Sequence, residues 1–363
     1  MDGGRKHLRR ASLALIAAIA ALGAAAPSAA AAAGPSPAEV RDYWTISRML
    51  AAEEPQAPSL RMRPAPDAAG SDHGAASYVP ADDAPAVLRA GRPDTAGGGD
   101  STVVRHEVTD PTAPEVRMHG KVFFTVLSGP DAGDRVCSGT VVNSRKRSVV
   151  WTAGHCVFDA TARAYVSNWV FVPGFSEEGA PYGEWPAKRL KTTRGWRTGA
   201  NFRFDLGAAV VAKDPQGRRL QELVGARGIG FDQPRDRSYE AYGYPTVDRS
   251  VEFPGTREYR CISANAGADA PLGSGPATMA IDCDMPAGAS GGGWISGKTL
   301  LSVTSYGYVN DPARLYGPYL SKAAKALYRK AAGKQKKKKR RNGGEAGKRA
   351  GWTHELGTGA GAN

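Results

Sequence analysis

From Val116 onward the chain is a succession of short apolar runs, each four to eight residues long, separated by Gly, Pro and Asp. That texture constrains the fold more than any other feature. Helices need ten or more residues of 3.6-fold periodicity, and these runs are too short and too often interrupted. Strands fit them: Lys121–Leu127, Val136–Val142, Ser148–Ala153, Trp169–Val172, Asp205–Val211, Ser238–Tyr244, Arg257–Ile262, Ala277–Asp282, Gly292–Ile295 and Thr299–Tyr306. Many short strands with turn signals between them predict an all-β sandwich or barrel. One helix closes the series. Ser321 can cap it, and Leu320, Ala323, Ala324, Leu327 and Tyr328 fall on one face. No internal repeat of fixed period is present.

The two flanks have other textures. Arg5, Lys6, Arg9 and Arg10 precede an apolar, Ala-rich run from Ala11 to Ala26, then small residues to Ala33. This is the layout of a cleaved signal peptide over 1–33, which leaves no transmembrane segment; the competing reading is an uncleaved membrane anchor, which the dominance of alanine disfavours. Arg9-Arg10 is followed by Ala11-Ser12-Leu13, a poor match to a twin-arginine signal. Export would put the four cysteines in an oxidising compartment. Residues 34–114 are rich in Ala, Pro, Gly and Asp and are expected to be largely irregular. Within them Val40–Ala52 carries Val40, Tyr43, Trp44, Met49 and Leu50 at helical spacing. That piece resembles the leader of secreted actinobacterial peptidase precursors, which implies a prosegment that aids folding or blocks a site; a spacer with one helix is the simpler reading.

The formal charge of +13 belongs mostly to the ends. Residues 331–363 carry +7, residues 1–33 carry +3, and the globular stretch between carries only +3. A nucleic-acid function therefore cannot rest on net charge. The run Lys334–Arg341 has no apolar face and is expected to be a disordered tail. It could hold the protein on an anionic wall or surface polymer, with no specific nucleic acid implied.

Three stretches carry chemistry. Thr152-Ala153-Gly154-His155-Cys156 places a histidine where a strand ends, which is rigid support for a general base. A bridge from Cys156 to Cys137, nineteen residues earlier, would pin that loop and stabilise the fold by roughly 3 kcal/mol. Asp205 opens the small apolar run to Val211. A buried carboxylate needs a partner, and a histidine N–H is one. Asp159, Asp214 and Asp232 are rivals by residue type, but all three lie in turn sequence. Gly288-Ala289-Ser290-Gly291-Gly292 can hold a serine hydroxyl clear of the main chain while neighbouring N–H groups converge.

Together, TAGHC, the DLG-type aspartate and GASGG, in the order His, Asp, Ser, resemble the trypsin-like (chymotrypsin-fold) serine peptidases. Cys283-Asp284-Met285-Pro286-Ala287 before GASGG resembles bacterial secreted members related to the staphylococcal glutamyl endopeptidase group. The resemblance covers about 115–328, within a peptidase domain expected over 115–330. It implies two antiparallel six-stranded β-barrels with a C-terminal helix, and a monomeric endopeptidase acting on protein or peptide substrates with no metal or cofactor. It assigns His155, Asp205 and Ser290 as the triad and the N–H groups of Gly288 and Ser290 as the oxyanion hole. It pairs Cys137 with Cys156, leaving Cys261 with Cys283. The same resemblance puts Asp284, Thr304, Ser305, Tyr306 and Gly307 around the specificity pocket. Asp284, at the pocket-floor offset of trypsins, would favour a basic residue before the scissile bond, unless it merely caps a turn. Thr304 stands where glutamyl endopeptidases commonly have histidine, which weakens a glutamate preference. Ala289 replaces the aspartate with which animal trypsins bind their new N-terminus, so a zymogen of this type would be activated differently. The alternative is a non-catalytic surface-binding protein on the same scaffold, held by its basic tail. An α/β-hydrolase is excluded because the histidine following Ser290 is His354, in the tail.

Overall fold

The computed structural model describes residues 34–54, 59–60, 74–82, 105–246 and 253–333. Residues 1–33, read as a signal peptide, about half of the leader and the basic tail from Lys334 lie outside them. Among the described residues no helix is long and apolar enough to cross a membrane.

The first half of the globular region is a closed antiparallel barrel of six strands. In barrel order these are Trp185–Thr192, Gly207–Val211, Val149–Thr152, Gly133–Val142, His119–Val126 and Ser167–Pro173. The ring closes where Trp185 pairs with Phe171. Its interior is filled by Val122, Phe124, Val141, Val150 and Phe171, all fully buried. Closure leaves no strand edge exposed.

The second half is built from a longer sheet of eleven strands. Its centre runs Asp311–Gly317, Thr278–Asp282, Tyr259–Asp269, Ser238–Gly243, Gly293–Ser296 and Thr299–Val303. Three strands come from the segment before residue 115. Ser77–Val79 pairs with Gly228–Phe231, Arg105–Glu107 pairs with Tyr259–Asp269, and Ser59–Leu60 pairs in parallel with Tyr306–Tyr308. Tyr239, Ile281, Met285, Trp294 and Leu301 form the core of this half.

The single helix read over Val40–Ala52 is two helices, Pro37–Tyr43 and Ile46–Ala51. Thr45 makes the break, because its hydroxyl accepts the Arg48 N–H and so starts a new helix. Ser36 and Glu39 form a capping box at the first helix. This segment is built into the barrel's outer layer: Val40, Trp44, Met49 and Ala52 share one buried cluster with Phe123, Val136, Val170 and Phe175. Tyr43 also donates to Asp134 at 2.6 Å, and Glu53 pairs with Arg135 at 2.9 Å.

The C-terminal helix spans Lys322–Ala332 and buries Ala324, Leu327, Ala331 and Ala332. Ser321 occupies the cap position, but its side chain makes no capping bond. The helix is fixed instead by packing and by the Tyr328 hydroxyl, which donates to the Asn143 carbonyl at 2.6 Å.

Candidate active site

The histidine loop follows the strand Val149–Thr152 directly. Cys156 is bridged to Cys137 on the neighbouring strand Gly133–Val142, so one covalent link lies beside His155. Asp205 follows the short 3-10 turn Phe202–Phe204 and precedes the strand Gly207–Val211. It is fully buried. Three donors converge on its carboxylate: the His155 backbone N–H on Oδ1 at 2.8 Å, His155 Nδ1 on Oδ2 at 2.8 Å, and the Ser305 hydroxyl on Oδ2 at 2.6 Å. A carboxylate only accepts, so Nδ1 carries the proton in this contact and Nε2 is left as the basic nitrogen. Nε2 is buried and has no hydrogen-bond partner among the described residues.

Ser290 is 6% exposed. Its loop is pressed against the histidine loop. The Ser290 carbonyl lies 3.7 Å from Cys156 Sγ and accepts the Ser138 N–H at 2.7 Å. Gly291 has φ +81°, and a Cβ there would sit 2.0 Å from Thr152 Oγ1 and 2.9 Å from the Ala153 nitrogen. Only glycine lets the two loops approach so closely.

The turn Pro286–Ala289 is closed by an Ala289 N–H bond to the Pro286 carbonyl at 3.4 Å, with Gly288 at φ +90°. The Ala287 carbonyl is held by the Thr246 N–H at 2.7 Å. In a trans peptide the C=O and N–H point oppositely, so the Gly288 N–H is turned away from Thr246. A Cβ on Gly288 would meet the Tyr244 carbonyl at 2.6 Å. Among the described residues neither the Gly288 nor the Ser290 N–H donates to a protein acceptor. Both are therefore available to bind a developing oxyanion.

Ser138, which carries no signal beyond following Cys137, joins these parts. It is 1% exposed. Its hydroxyl donates to the Gly288 carbonyl and accepts the Tyr244 N–H, both at 2.9 Å. Its own carbonyl accepts the Thr152 hydroxyl at 2.8 Å.

A cavity of about 220 Å³ opens beside Ser290, and Asp284, Thr304, Ser305, Tyr306 and Gly307 all line it. Their side chains have different uses. Thr304 Oγ1 accepts the Trp294 indole N–H at 3.0 Å, and Ser305 serves Asp205. The Tyr306 hydroxyl donates to Asp269 at 2.7 Å. Asp284 does not cap a turn; it is ion-paired with Arg105. Ala289 is fully buried in the core of the second half.

Cys261 is bridged to Cys283, just before Asp284. One group of metal-type ligands converges among the described residues, Cys137, His155 and Cys156. Both cysteines are oxidised to the disulfide and have no thiolate to offer a metal.

No sequence-family profile matches the chain. Among solved structures it is similar to protease Anisep of Arthrobacter nicotinovorans, with 34% identity over 63% of this chain and 99% of that one, at a TM-score of 0.56. It is equally similar in sequence to the thermostable serine protease AL20 of an extremophilic microorganism, with 34% identity over 60% of this chain and 98% of that one, at a TM-score of 0.54. A curated relative, glutamyl endopeptidase of Bacillus licheniformis, is 32% identical over 77 residues, or 21% of this chain and 23% of that relative's length. The chain belongs to the bacterial serine proteases of chymotrypsin-like fold.

Proposed function

We propose that this protein is an exported serine endopeptidase acting through Ser290, His155 and Asp205. The observation that carries the reading is the His155–Asp205 contact, which fixes the imidazole tautomer and leaves a buried, unpartnered Nε2 beside the Ser290 loop. In the mechanism, Ser290 Oγ attacks the scissile carbonyl carbon and gives its proton to His155 Nε2. The carbonyl oxygen becomes an oxyanion bound by the Gly288 and Ser290 N–H groups. Collapse of the tetrahedral intermediate breaks the C–N bond, and the imidazolium returns the proton to the leaving amine. Water then repeats the sequence on the acyl-enzyme and releases the acid. Asp205 stays ionised throughout, stabilising the imidazolium.

An extended substrate would dock by strand addition on Tyr306–Tyr308. The pairing of residues 59–60 with that strand supports reading the part of the leader before Arg105 as a prosegment lying over the cleft. The two disulfides support export to an oxidising compartment. The test is Ser290→Ala, which should abolish both peptide hydrolysis and covalent labelling by a phosphonate probe. Deleting residues 334–363 separates this reading from a surface-binding scaffold: hydrolysis should survive, and retention on anionic polymers should fall.

A further inference from the structure

Asp284 lines the cavity beside Ser290, yet its carboxylate is already engaged. The partner, Arg105, lies 179 positions earlier in the chain. The strand Arg105–Glu107 pairs with Tyr259–Asp269 in a register that sets Arg105 opposite Cys261. Cys261 is bridged to Cys283, the residue before Asp284. Strand register and disulfide together bring the guanidinium to the carboxylate. Phe253 backs the guanidinium, its ring centroid 4.5 Å from the Arg105 carbon. The two side chains are only 24% and 27% exposed, so the charges act on each other, and on anything entering the cavity, with less screening than at the surface.

Resting on the active site proposed above, we propose that Arg105 determines primary specificity by neutralising Asp284. A lysine or arginine entering the cavity would compete with Arg105 for the carboxylate and meet a like charge behind it. A glutamate or aspartate would meet the like charge of the Asp284 carboxylate, whose Oδ1 has no hydrogen-bond partner among the described residues to offset it. An uncharged side chain suffers neither repulsion, and Met285 and Leu315 on the walls favour an apolar one. The pocket therefore selects leucine- or methionine-like residues before the scissile bond, and it keeps a latent basic preference that Arg105 holds off.

The test uses protein whose intact mass shows that residue 105 is present. Three peptides differing only in Leu, Arg or Glu before the scissile bond are compared, with phosphonate labelling of Ser290 as the control for the site itself. Wild type should cleave the Leu peptide best and should not be inhibited by millimolar benzamidine. Arg105→Met keeps the apolar stem over Phe253 and removes the charge. It should raise the Arg-to-Leu ratio of kcat/KM at least tenfold and create benzamidine inhibition, and Arg105→Met/Asp284→Asn should lose both gains. Normal labelling of Arg105→Met with an unchanged ratio overturns this inference alone. So does a wild type that prefers Arg or binds benzamidine, a result available even if Arg105→Met fails to fold. A folded wild type that neither labels nor cleaves removes the active site, and this inference with it.

Discussion

Replacing Ser138 by alanine should damage catalysis and stability together, through a residue that takes no part in proton transfer. The Ser138 hydroxyl is the partner of two buried backbone groups, the Gly288 carbonyl and the Tyr244 N–H, each at 2.9 Å. Alanine leaves both unpaired where the side chain is 1% exposed. An unsatisfied buried polar group costs about 1–3 kcal/mol, so the loss of stability from two should be about 2–6 kcal/mol. The Gly288 carbonyl is also the tether of the peptide that follows the Gly288 N–H. Losing one oxyanion donor outright costs about 10²–10³ in kcat, and loosening one should cost about ten- to a hundredfold. Because the oxyanion exists only beyond the ground state, KM should change little. The assay is kcat and KM on a peptide ester, beside urea unfolding of the same preparations. An unchanged kcat in a destabilised Ser138→Ala protein would refute the idea that this hydroxyl positions the oxyanion turn. Unchanged stability would refute the hydrogen-bond argument itself.

Asp205→Asn should fold less stably and lose roughly 10³–10⁴ in kcat/KM, because an amide cannot accept from all three donors and a misplaced NH₂ forces the wrong histidine tautomer; activity within tenfold of wild type would contradict this. Trp44→Ala should cost about 3–5 kcal/mol in urea unfolding, since Trp44 is 1% exposed within the cluster around Phe123. A loss under about 1 kcal/mol would mean the N-terminal helices are not part of the folded unit. Burial pushes the Glu184 carboxyl up to about 7, with Arg41 opposing. A raised folded-state pKa adds stability that is complete below about pH 4.5 and is lost as pH rises through 7. Glu184→Gln should therefore remove about 1–2 kcal/mol of the decline between pH 5 and 8, allowing for partial exposure; an unchanged pH profile would show that this carboxyl is not perturbed.

The all-β reading and the C-terminal helix were legible because short runs between turn residues leave few alternatives. Trp185–Thr192 escaped because three of its eight residues, Lys188, Arg189 and Lys191, are charged, hiding the alternation of a barrel strand. Gly228–Phe231 escaped because four residues with two glycines look like a turn. His155, Asp205 and Ser290 stood out because their chemistry is costly unless used, and flanking glycines and cysteines give them distinctive settings. Ser305 was legible as a pocket residue, but its bond to Asp205 depends on strand placement across the cleft. Ser138 and Arg105 were not legible. One is a small polar residue among many, and the other lies in a composition that specifies no fold, yet register and a disulfide bring it to Asp284.

The central claim is that Ser290 is a nucleophile activated by His155. The direct measurement is mass-spectrometric mapping of a fluorophosphonate adduct on the folded protein, alongside Ser290→Ala and His155→Ala. The account predicts one adduct, on the peptide containing Ser290, absent in Ser290→Ala and formed at least a thousandfold more slowly in His155→Ala. A folded wild-type protein that takes no adduct, or takes it at another residue, would contradict it.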